Sequence, residues 1–500
     1  MADVVEPMMQ HRTDMHVDSP SVASLRRGFQ GQILLPVDDA YEEARLVWNA
    51  MIDRRPAIIA RCARPADVIA ALRFGRSQDL EIGVRGGGHN VLGFAVPDGG
   101  LMLDLSLMAS VRVDPDRRRA WVQGGALLGA LDRAAQRFGL ATTAGNVSHT
   151  GVGGLTLGGG MGWLARQCGL ACDNVASYEV VTADGDILHA SETENADLFW
   201  GLRGGGGNFG VVTEFEFRLH PVGTAAFVVE LFYRPEDASR VMRRWRDLLA
   251  DAPCQATFTA WAGTTGMWPY LSPELYHQSL ISVGYVWVGD PKQGRTLLPA
   301  LHDVTPPIAE RVEALTYGEL QRMDDSSQRH RVRRYAGGHF LRTLGDEAID
   351  AFISRGAPAD GAVDSSFLPS GSLQSYGGAI ASVHRNATAF SHRDTLVEFG
   401  ASAGWTDPAE DEARFAGVRR YTAAIEPFAS GVYVNDLAEE GQGGVQRAYG
   451  DETTARLAAL KDRYDPDNIF HLNQNIQPRS RQPADETIVT SYRKTKGESG

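Results

Sequence analysis

Cysteine is scarce in this chain, with four residues among 500. Their spacing matches no disulfide framework, and no second Cys or His pair lies near Cys168-x3-Cys172 to complete a zinc site. The four are Cys62, Cys168, Cys172 and Cys254. We therefore expect reduced, structural thiols and no metal centre.

Long apolar runs and an excess of positive charge are also missing. No segment approaches the length that spans a bilayer, and Met1 to Pro20 contains no apolar run of the signal-peptide type. The formal net charge of −13 argues against a surface for nucleic acid or anionic membranes. We expect a cytoplasmic enzyme that acts on a small-molecule substrate, without nucleic-acid or membrane partners. The sequence does not indicate an oligomeric state.

Glycine is abundant, with 55 residues that concentrate between Gly83 and Gly210. The first cluster, Arg85–Asn90, follows a short apolar strand. Its three consecutive glycines remove every Cβ from the turn, so the backbone can adopt positive φ angles and approach a ligand closely. Successive N–H groups in such a turn form an anion nest that suits a pyrophosphate. His89 lies just past this nest, where it can reach the ring system of a bound dinucleotide.

Two further glycine clusters follow, at Gly151–Trp163 and Gly204–Gly210. Neither shows the strand–GxGxxG–helix order of a Rossmann unit, and neither is followed by the Lys-Ser/Thr of a P-loop. The clusters therefore predict nucleotide binding by a fold other than the two commonest ones. Close packing of strands and helices remains an alternative explanation for the second and third clusters.

Local patterns predict helices and strands around these clusters. We predict helices over 38–49 and Pro65–Ser77 and a hairpin over 111–122. A later helix begins near Asn195, a residue that suits an N-cap. From about Pro221 to Ser430 glycine becomes less frequent and strands mix with helices, which predicts a separate α+β domain built on an antiparallel sheet.

Together these motifs resemble the berberine bridge enzyme-like flavoproteins of the vanillyl-alcohol oxidase superfamily. The resemblance covers about Phe29 to Pro478, and the combination of motifs is highly specific although each one alone is weak. The matching segments are Arg85–His89, Gly151–Trp163, Gly169–Asn174, Arg203–Val212, Tyr433–Asn435 and Tyr464–Pro478. The run Val-Ser-His-Thr-Gly at 147–151 looks especially like the favorskiimase-like bacterial subgroup of the enterocin pathway.

The resemblance implies an α+β fold with a two-subdomain, PCMH-type FAD-binding domain. A substrate domain, with an antiparallel sheet flanked by helices, would cover the flavin ring. The implied division is a disordered arm at 1–26, the FAD-binding domain at 27–221, the substrate-binding domain at 222–430, a C-terminal return to the FAD domain at 431–478 and a mobile tail at 479–500.

The resemblance also implies which residues hold FAD. His89 would be joined covalently to the flavin 8α-methyl group. Doubly tethered members carry a cysteine at the position aligned with Val147, so His89 would provide the single link here. The implied cofactor-binding residues are Val84, Arg85, Gly86, Gly87, Gly88, His89, Asn90, Gly145, Ser148, Thr150, Gly151, Gly153, Gly154, Gly159, Gly162, Gly210, Val212, Asn473 and Asn475.

Flavin oxidation needs a base for the departing substrate proton, and the sequence does not rank the candidates. A buried tyrosine beside positive charge and a glutamate with a raised pKa would serve equally well. Many family members have a glutamate near the position of Ser372, whereas His339 is expected to be structural. The candidate catalytic residues are Tyr433, Glu398, Gln374 and Tyr376, with Arg334 also reachable.

The implied function is an FAD-dependent oxidase that uses O₂ to oxidise a hydroxyl or activated C–H group of a bulky, secondary-metabolite substrate. An alternative in the same class is an oxygenase that uses a flavin N5-oxide on a polyketide-type substrate. Alternatives from other classes are a flavin- or sugar-binding module without turnover and a non-flavin nucleotide enzyme.

Overall fold

Two sheets in the first half of the chain and one large sheet in the second half carry the fold. The structure is a computed structural model that describes residues 20–358, 365–438 and 440–481. Its mixture of helices, parallel strands and antiparallel strands confirms the predicted α+β class.

The first sheet places the first glycine cluster. Its strands are β1 (Gln32–Leu34), β2 (Ile58–Arg61), β3 (Ile82–Arg85) and β4 (Leu101–Asp104), and the accompanying helices are α1 (Pro20–Arg26), α2 (Tyr41–Ala44) and α3 (Pro65–Ser77). The strand order is β1-β2-β4-β3, with β2 and β3 parallel to β4. Proline suits the start of α3 because the missing N–H would have no partner there. Since β3 ends at Arg85, the glycine turn emerges from the carboxyl edge of this sheet.

The second sheet is antiparallel and has the order β5-β6-β10-β8-β9. The strands in this part of the chain are β5 (Val111–Asp114), β6 (Arg119–Gln123), β7 (Leu140–Ala141), β8 (Val175–Val181), β9 (Ile187–Ser191), β10 (Val211–Arg218) and β11 (His220–Pro221). The helices are α4 (Leu128–Gln136), α5 (Val152–Leu157), α6 (Ala165–Cys168) and α7 (Ala196–Leu202). Phe215 and Phe217 of β10 face the core, whereas the alternating residues Glu214, Glu216 and Arg218 are less buried, as a strand with one covered face requires.

The third sheet forms the wall opposite the glycine clusters. Its strands are β12 (Ala225–Tyr233), β13 (Ala256–Thr264), β14 (Ser279–Val288), β15 (Ala309–Thr316), β16 (Arg333–Leu341), β17 (Ser370–Ser375) and β18 (Val397–Trp405), in the antiparallel order β15-β12-β14-β13-β17-β18-β16. The helices are α8 (Pro235–Leu249), α9 (Pro291–Gly294), α10 (Leu298–His302), α11 (Tyr317–Leu320), α12 (Asp346–Ser354), α13 (Ala379–Ser382) and α14 (Asp411–Ile425). Trp245, Phe352 and Tyr421, from α8, α12 and α14, bury their rings against one face of the sheet.

The C-terminal segment crosses back to the glycine-rich half. Helix α15 (Gly441–Tyr464) is interrupted at Gly450, which has a positive φ of 71°. Near its end, the buried Lys461 ammonium donates to the carbonyls of Asn208 and Phe470 and lies 2.7 Å from the Asp465 carboxylate. These contacts fix residues 465–478 beside the third glycine cluster.

Three local predictions differ from the structure. The helix predicted over 38–49 is only Tyr41–Ala44. The chain leaves the helix because Trp48 N–H donates to the Gly88 carbonyl and Asn49 forms a bridge with Val332. The disordered arm was predicted over 1–26, but residues 20–26 form helix α1, which buries Val22 completely. Residues 1–19 of this arm lie outside the described part of the chain, as do residues 482–500 of the predicted mobile tail.

Asn195 precedes α7 as predicted, but its side chain does not cap the helix. The side-chain amide donates instead to the His189 carbonyl at 2.8 Å. Within the described residues, no helix combines the length and the apolar character that crossing a membrane requires.

Candidate functional site

A cavity of about 520 Å³ lies where the three glycine clusters meet the C-terminal segment. Such a volume is typical of cofactor and substrate sites. The sequence-predicted residues that line it are Val84, Gly86, Gly87, Gly88, His89, Asn90, Thr150, Gly151, Gly153, Gly154, Gly210, Val212, Tyr433 and Asn473. Residues that are distant in sequence therefore converge on one site.

The glycines of this cavity have two separate roles. A Cβ on Gly87 would lie 2.3 Å from the Gly151 nitrogen, so these two positions need glycine because two backbones touch. A Cβ on Gly154 would meet nothing within 4 Å, although Gly154 lines the cavity. The second cluster thus combines close packing with an open face that a ligand can approach.

His89 is held beside two other histidines. Its ring stacks on Trp48 at 4.6 Å between centroids, and its Nε2 lies 2.7 Å from His149 Nδ1. Burial and the neighbouring His149, His330 and Arg334 lower the pKa of His89 to about 3. The imidazole is therefore neutral at physiological pH, with a lone pair on one nitrogen.

Contacts between the two halves of the molecule fix this cluster. The Asp325 carboxylate accepts from Ser148 N–H at 2.9 Å and from its hydroxyl at 2.7 Å. One nitrogen from each of His89, His149 and His330 lies within 4.8 Å of the others, an arrangement that can hold a metal ion. The expectation of no metal stays a prediction.

Sequence reasoning missed Trp48, His149 and His330. His149 stands next to the second glycine cluster, which was the available signal, whereas Trp48 and His330 have none. Arg334, a candidate for catalysis, lies over the Trp48 ring at 4.6 Å and donates to the carbonyls of Ser327 and Arg329. It therefore positions Trp48.

Tyr433 is the predicted catalytic candidate that reaches the cavity. Its phenol oxygen accepts from Gly160 N–H and from the Asn435 side-chain amide, both at 2.8 Å. Burial raises the pKa of Tyr433, with a further contribution from Glu398, and the two donors oppose this shift. The two donors favour the phenolate, but burial is the larger effect and the pKa of Tyr433 remains above its ordinary value.

Behind Tyr433 lies a buried pair of carboxyl groups that the sequence did not reveal. Tyr376 donates its O–H to Glu398 Oε2 at 2.6 Å, and Glu398 is hydrogen-bonded to Asp436. Burial and the nearby Asp436 raise the pKa of Glu398, and burial raises the pKa of Asp436. Asp436 lines the cavity, so the pair adjoins the site without Glu398 reaching it directly.

Several predicted site residues lie outside the cavity lining. They are Arg85, Gly145, Ser148, Gly159, Gly162, Asn475, Glu398, Gln374 and Tyr376. The Arg85 guanidinium turns away because it pairs with the buried Asp104 at 3.1 Å. Gln374 instead accepts from the Asn146 amide at 3.0 Å.

Two family models match this chain, and they cover the segments that build the cavity. The FAD binding domain model matches residues 56–191, and the berberine and berberine like model matches residues 432–477. (R)-6-hydroxynicotine oxidase of Paenarthrobacter nicotinovorans is 30% identical over 464 residues, which cover 90% of this chain and 97% of that protein. Glucooligosaccharide oxidase of Sarocladium strictum is 32% identical over 469 residues, which cover 86% and 89%.

The chain belongs to the berberine bridge enzyme-like family of FAD-linked oxidoreductases. Among solved structures, glucooligosaccharide oxidase from Acremonium strictum matches with a TM-score of 0.80 at 25% identity, covering 92% of this chain and 98% of that one. A structure of the same enzyme is described by its 6-S-cysteinyl, 8α-N1-histidyl FAD. Family membership confirms the prediction of an FAD-linked enzyme.

The cavity of this family member fits FAD. Its glycine-lined walls leave room for a flat ring and a pyrophosphate, and the side-chain oxygen of the lining residue Asn473 is buried with no partner among the described residues. Buried polar atoms of this kind need a hydrogen-bond partner, which a bound cofactor supplies. Among the residues that the structure describes, no cysteine lines the cavity. Burial raises the pKa of Cys168 to about 11, so this thiol stays protonated at neutral pH.

Proposed function

We propose that the protein is an oxidase with FAD bound covalently through His89 alone. It oxidises a hydroxyl or activated C–H group of a bulky substrate and passes the electrons to O₂. The observation that carries this proposal is the neutral His89 imidazole in a glycine-lined cavity whose lining contains no cysteine. The glucooligosaccharide oxidase relative, whose FAD carries a histidyl and a cysteinyl link, supports the histidine half of this arrangement.

FAD, when bound, supplies a hydride acceptor for the substrate carbon. The surrounding residues bind and orient it. The first glycine turn would hold the pyrophosphate, and Trp48 and His149 hold the His89 ring in one orientation. Asn473 lies on the returning C-terminal segment and faces the cavity.

Tyr433 accepts the proton that leaves the substrate. Gly160 N–H and the Asn435 amide stabilise the phenolate, and the phenol lies in the cavity wall. Tyr376 keeps its own proton because its O–H is directed at Glu398. Gln374 and Glu398 lie outside the cavity lining, so neither is placed to touch the reacting atoms.

The alternative activity is oxygenation of a polyketide-type substrate. It is supported by Val147, which stands where doubly tethered relatives have cysteine, and by the Thr150 position in the cavity lining. Product mass separates the two activities, since oxygenation adds an oxygen atom to the substrate and oxidation removes two hydrogens. A cytoplasmic location and a role in secondary metabolism remain predictions.

Peptide mass spectrometry of the digested enzyme tests the covalent link. We expect the flavin mass on the peptide that contains His89, and no flavin on any cysteine peptide. His89→Ala should lose the yellow colour that otherwise stays with acid-precipitated protein. His302→Ala removes an exposed histidine and should retain it. Flavin on a Cys168 peptide, or on no peptide, would overturn the proposed linkage.

A further inference from the structure

Three histidines from two parts of the chain meet beside the main cavity, and we call them the histidine cluster. His89 belongs to the first glycine cluster, His149 lies just before the second, and His330 lies between α11 and β16. One nitrogen of each ring lies within 4.8 Å of one nitrogen of the other two. His89 lines the cavity and the other two do not, so the cluster extends away from the space for the cofactor.

Backbone contacts on both sides of His330 hold it near the other two rings. Before it in the chain, the Trp48 indole N–H donates to the Gln328 carbonyl at 2.6 Å. After it, Ala50 N–H donates to the Val332 carbonyl at 3.0 Å. The His330 side chain itself is exposed, so its ring is free to adjust its position toward a ligand.

One hydrogen bond joins the rings of the cluster, and a buried nitrogen is left without a partner. A neutral imidazole carries one N–H and one lone pair. The contact of 2.7 Å between His89 Nε2 and His149 Nδ1 satisfies one of the three lone pairs. His149 Nε2 is buried with no partner among the described residues. A buried polar atom of this kind indicates that a water or an ion takes part in the cluster.

The donor atoms select the class of ion. All three are imidazole nitrogens, which suit Zn²⁺, Cu²⁺ and Ni²⁺, whereas Mg²⁺ and Ca²⁺ require oxygen ligands. Three histidines with water in the fourth position are a common zinc sphere. With Zn–N distances of about 2.0–2.1 Å, tetrahedral geometry places the nitrogens about 3.3 Å apart. The His89–His149 contact would therefore open slightly, and the exposed His330 would move closer.

Neighbouring arginines limit how tightly a cation can bind. The Arg334 guanidinium lies over the Trp48 ring at 4.6 Å, and Arg85 and Arg331 also carry positive charge near His330. These charges repel a divalent ion, and coordination by the imidazoles has to overcome the repulsion. We therefore expect a Kd on the order of micromolar, weaker than that of a structural zinc site.

The cluster and the flavin link use different nitrogens of His89. Its Nε2 faces His149, which lies outside the cavity lining, so Nδ1 is the nitrogen left for a flavin in the cavity. Trp48 stacks on the same ring and fixes the direction of both nitrogens. An ion on Nε2 is therefore compatible with a flavin on Nδ1.

We propose that the histidine cluster is a zinc site, which ties the segment that carries His330 to the glycine-rich half of the molecule. His89 Nε2 and one nitrogen each from His149 and His330 coordinate the ion, and water completes the sphere on the exposed side. This proposal departs from the sequence-based expectation of no metal centre. It does not require a covalent flavin, so the zinc site and the flavin link can fail separately.

Calorimetric titration of ZnCl₂ into the untagged, flavin-loaded enzyme, stripped beforehand with EDTA, tests the site. We expect one zinc per chain with a micromolar Kd. His330→Ala removes one ligand at an exposed position and should weaken binding at least about tenfold, since even the loss of a residue behind the ligands has an effect of this size. His384→Ala removes an exposed histidine outside the cluster and should bind zinc like wild type.

X-ray absorption at the zinc edge counts the ligands in the wild-type enzyme without any substitution. We expect three imidazole nitrogens at about 2.0–2.1 Å and one further light atom. A sulfur neighbour at about 2.3 Å would place the zinc on a cysteine and overturn the proposal.

Thermal unfolding measures the tie between the two segments. Zinc at about a hundredfold excess over its Kd should raise the wild-type Tm by a few degrees, and that of His330→Ala by less than about one degree. Absence of zinc binding to wild type, equal binding by His330→Ala, or fewer than three imidazoles around the ion would each overturn the site. Peptide mass spectrometry reads the flavin link separately. Zinc bound as expected in an enzyme without flavin on His89 contradicts the linkage alone, and flavin on His89 without zinc binding contradicts the zinc site alone.

Discussion

Two hydrogen bonds converge on the phenol oxygen of Tyr433, the proposed base. Burial and the nearby Glu398 raise the pKa of this phenol, and a phenol in that state is a poor base. Gly160 N–H and the Asn435 amide oppose the shift because both donate to the oxygen and favour its charged form. Neither donor faces Tyr376, whose proton is committed to Glu398.

We therefore expect Tyr433→Phe to lower kcat by roughly 10²–10⁴, the usual contribution of a general base. Flavin content should be unchanged, because the ring remains and fills the same space. Stopped-flow measurement of flavin reduction without O₂ isolates the affected step. Tyr178 is a buried tyrosine outside the cavity lining, and Tyr178→Phe is the control. The flavin of this variant should be reduced at the wild-type rate. If Tyr433→Phe kept full activity and Glu398→Gln lost activity, the base would be the Glu398–Asp436 carboxyl pair and not Tyr433.

Helix α5 shows how an element can serve packing and binding at once. Gly151 precedes its first residue and touches the backbone of Gly87, whereas Gly154, on the helix itself, faces open space in the cavity. The sequence left close packing and cofactor binding as alternative explanations for this cluster. In the structure Gly151 packs against the Gly87 backbone, whereas Gly154 lines the cavity and contacts no other side chain.

Gly154→Val tests this division. The added Cβ meets no protein atom within 4 Å, and valine is a better helix former than glycine, so we expect the thermal stability of the flavin-free protein not to fall. Flavin incorporation should drop severalfold, because the side chain occupies space that the cofactor needs. The flavin-to-protein absorbance ratio measures this effect. Gly318→Val, also without neighbours within 4 Å but outside the cavity lining, should incorporate flavin normally.

The same elements show what local sequence can and cannot predict. The helix Pro65–Ser77 agrees with its prediction residue for residue, because proline at the start and helical spacing of apolar residues are local signals. The glycine turn at Arg85–Asn90 is local in the same sense. The helix predicted over 38–49 is wrong because the structure depends on the Gly88 carbonyl and on Val332, which are distant along the chain.

The site follows the same rule. His89 and Tyr433 stand in recognisable motifs, and both line the cavity. His330 reaches the site only because separate segments fold together, and nothing in its immediate neighbours marks it; Asp436 directly follows the Tyr433–Asn435 motif but was not singled out. Burial raises the pKa of Asp436, and its hydrogen-bond partner Glu398 lies on β18, a segment distant along the chain.

At the scale of the whole molecule, the two halves meet through buried polar contacts as well as apolar ones. Asp132 of α4 accepts from the Gln321 amide of the other half at 3.1 Å, and the same amide lies 3.3 Å from the Gly145 carbonyl. Asp132 is 4% exposed. Burial raises its pKa to about 7, with the Gln321 hydrogen bond only partly opposing the shift.

The raised pKa gives this contact a defined dependence on pH. Below pH 3.8, the pKa of Asp132 in the unfolded state, the folded and unfolded states both hold the proton. Asp132 then does not make the free energy of unfolding depend on pH. Between about 4 and 7 the unfolded state loses the proton while the folded state keeps it, so the free energy of unfolding falls as pH rises. Above pH 7 the free energy of unfolding falls no further on account of Asp132. The total decrease is roughly 4 kcal/mol, at about 1.4 kcal/mol per pKa unit.

Asp132→Asn should remove this dependence, since asparagine keeps an acceptor for Gln321 and cannot ionise. Urea unfolding at pH 5, 6, 7 and 8 should show a variant whose stability relative to wild type increases steadily toward pH 7 and then levels off. Asp116→Asn, an exposed acid in a hairpin turn, should follow wild type at every pH. A constant difference between Asp132→Asn and wild type across this range would mean that the Asp132 carboxyl is already ionised in the folded protein, and that the contact between the halves is not sensitive to protonation.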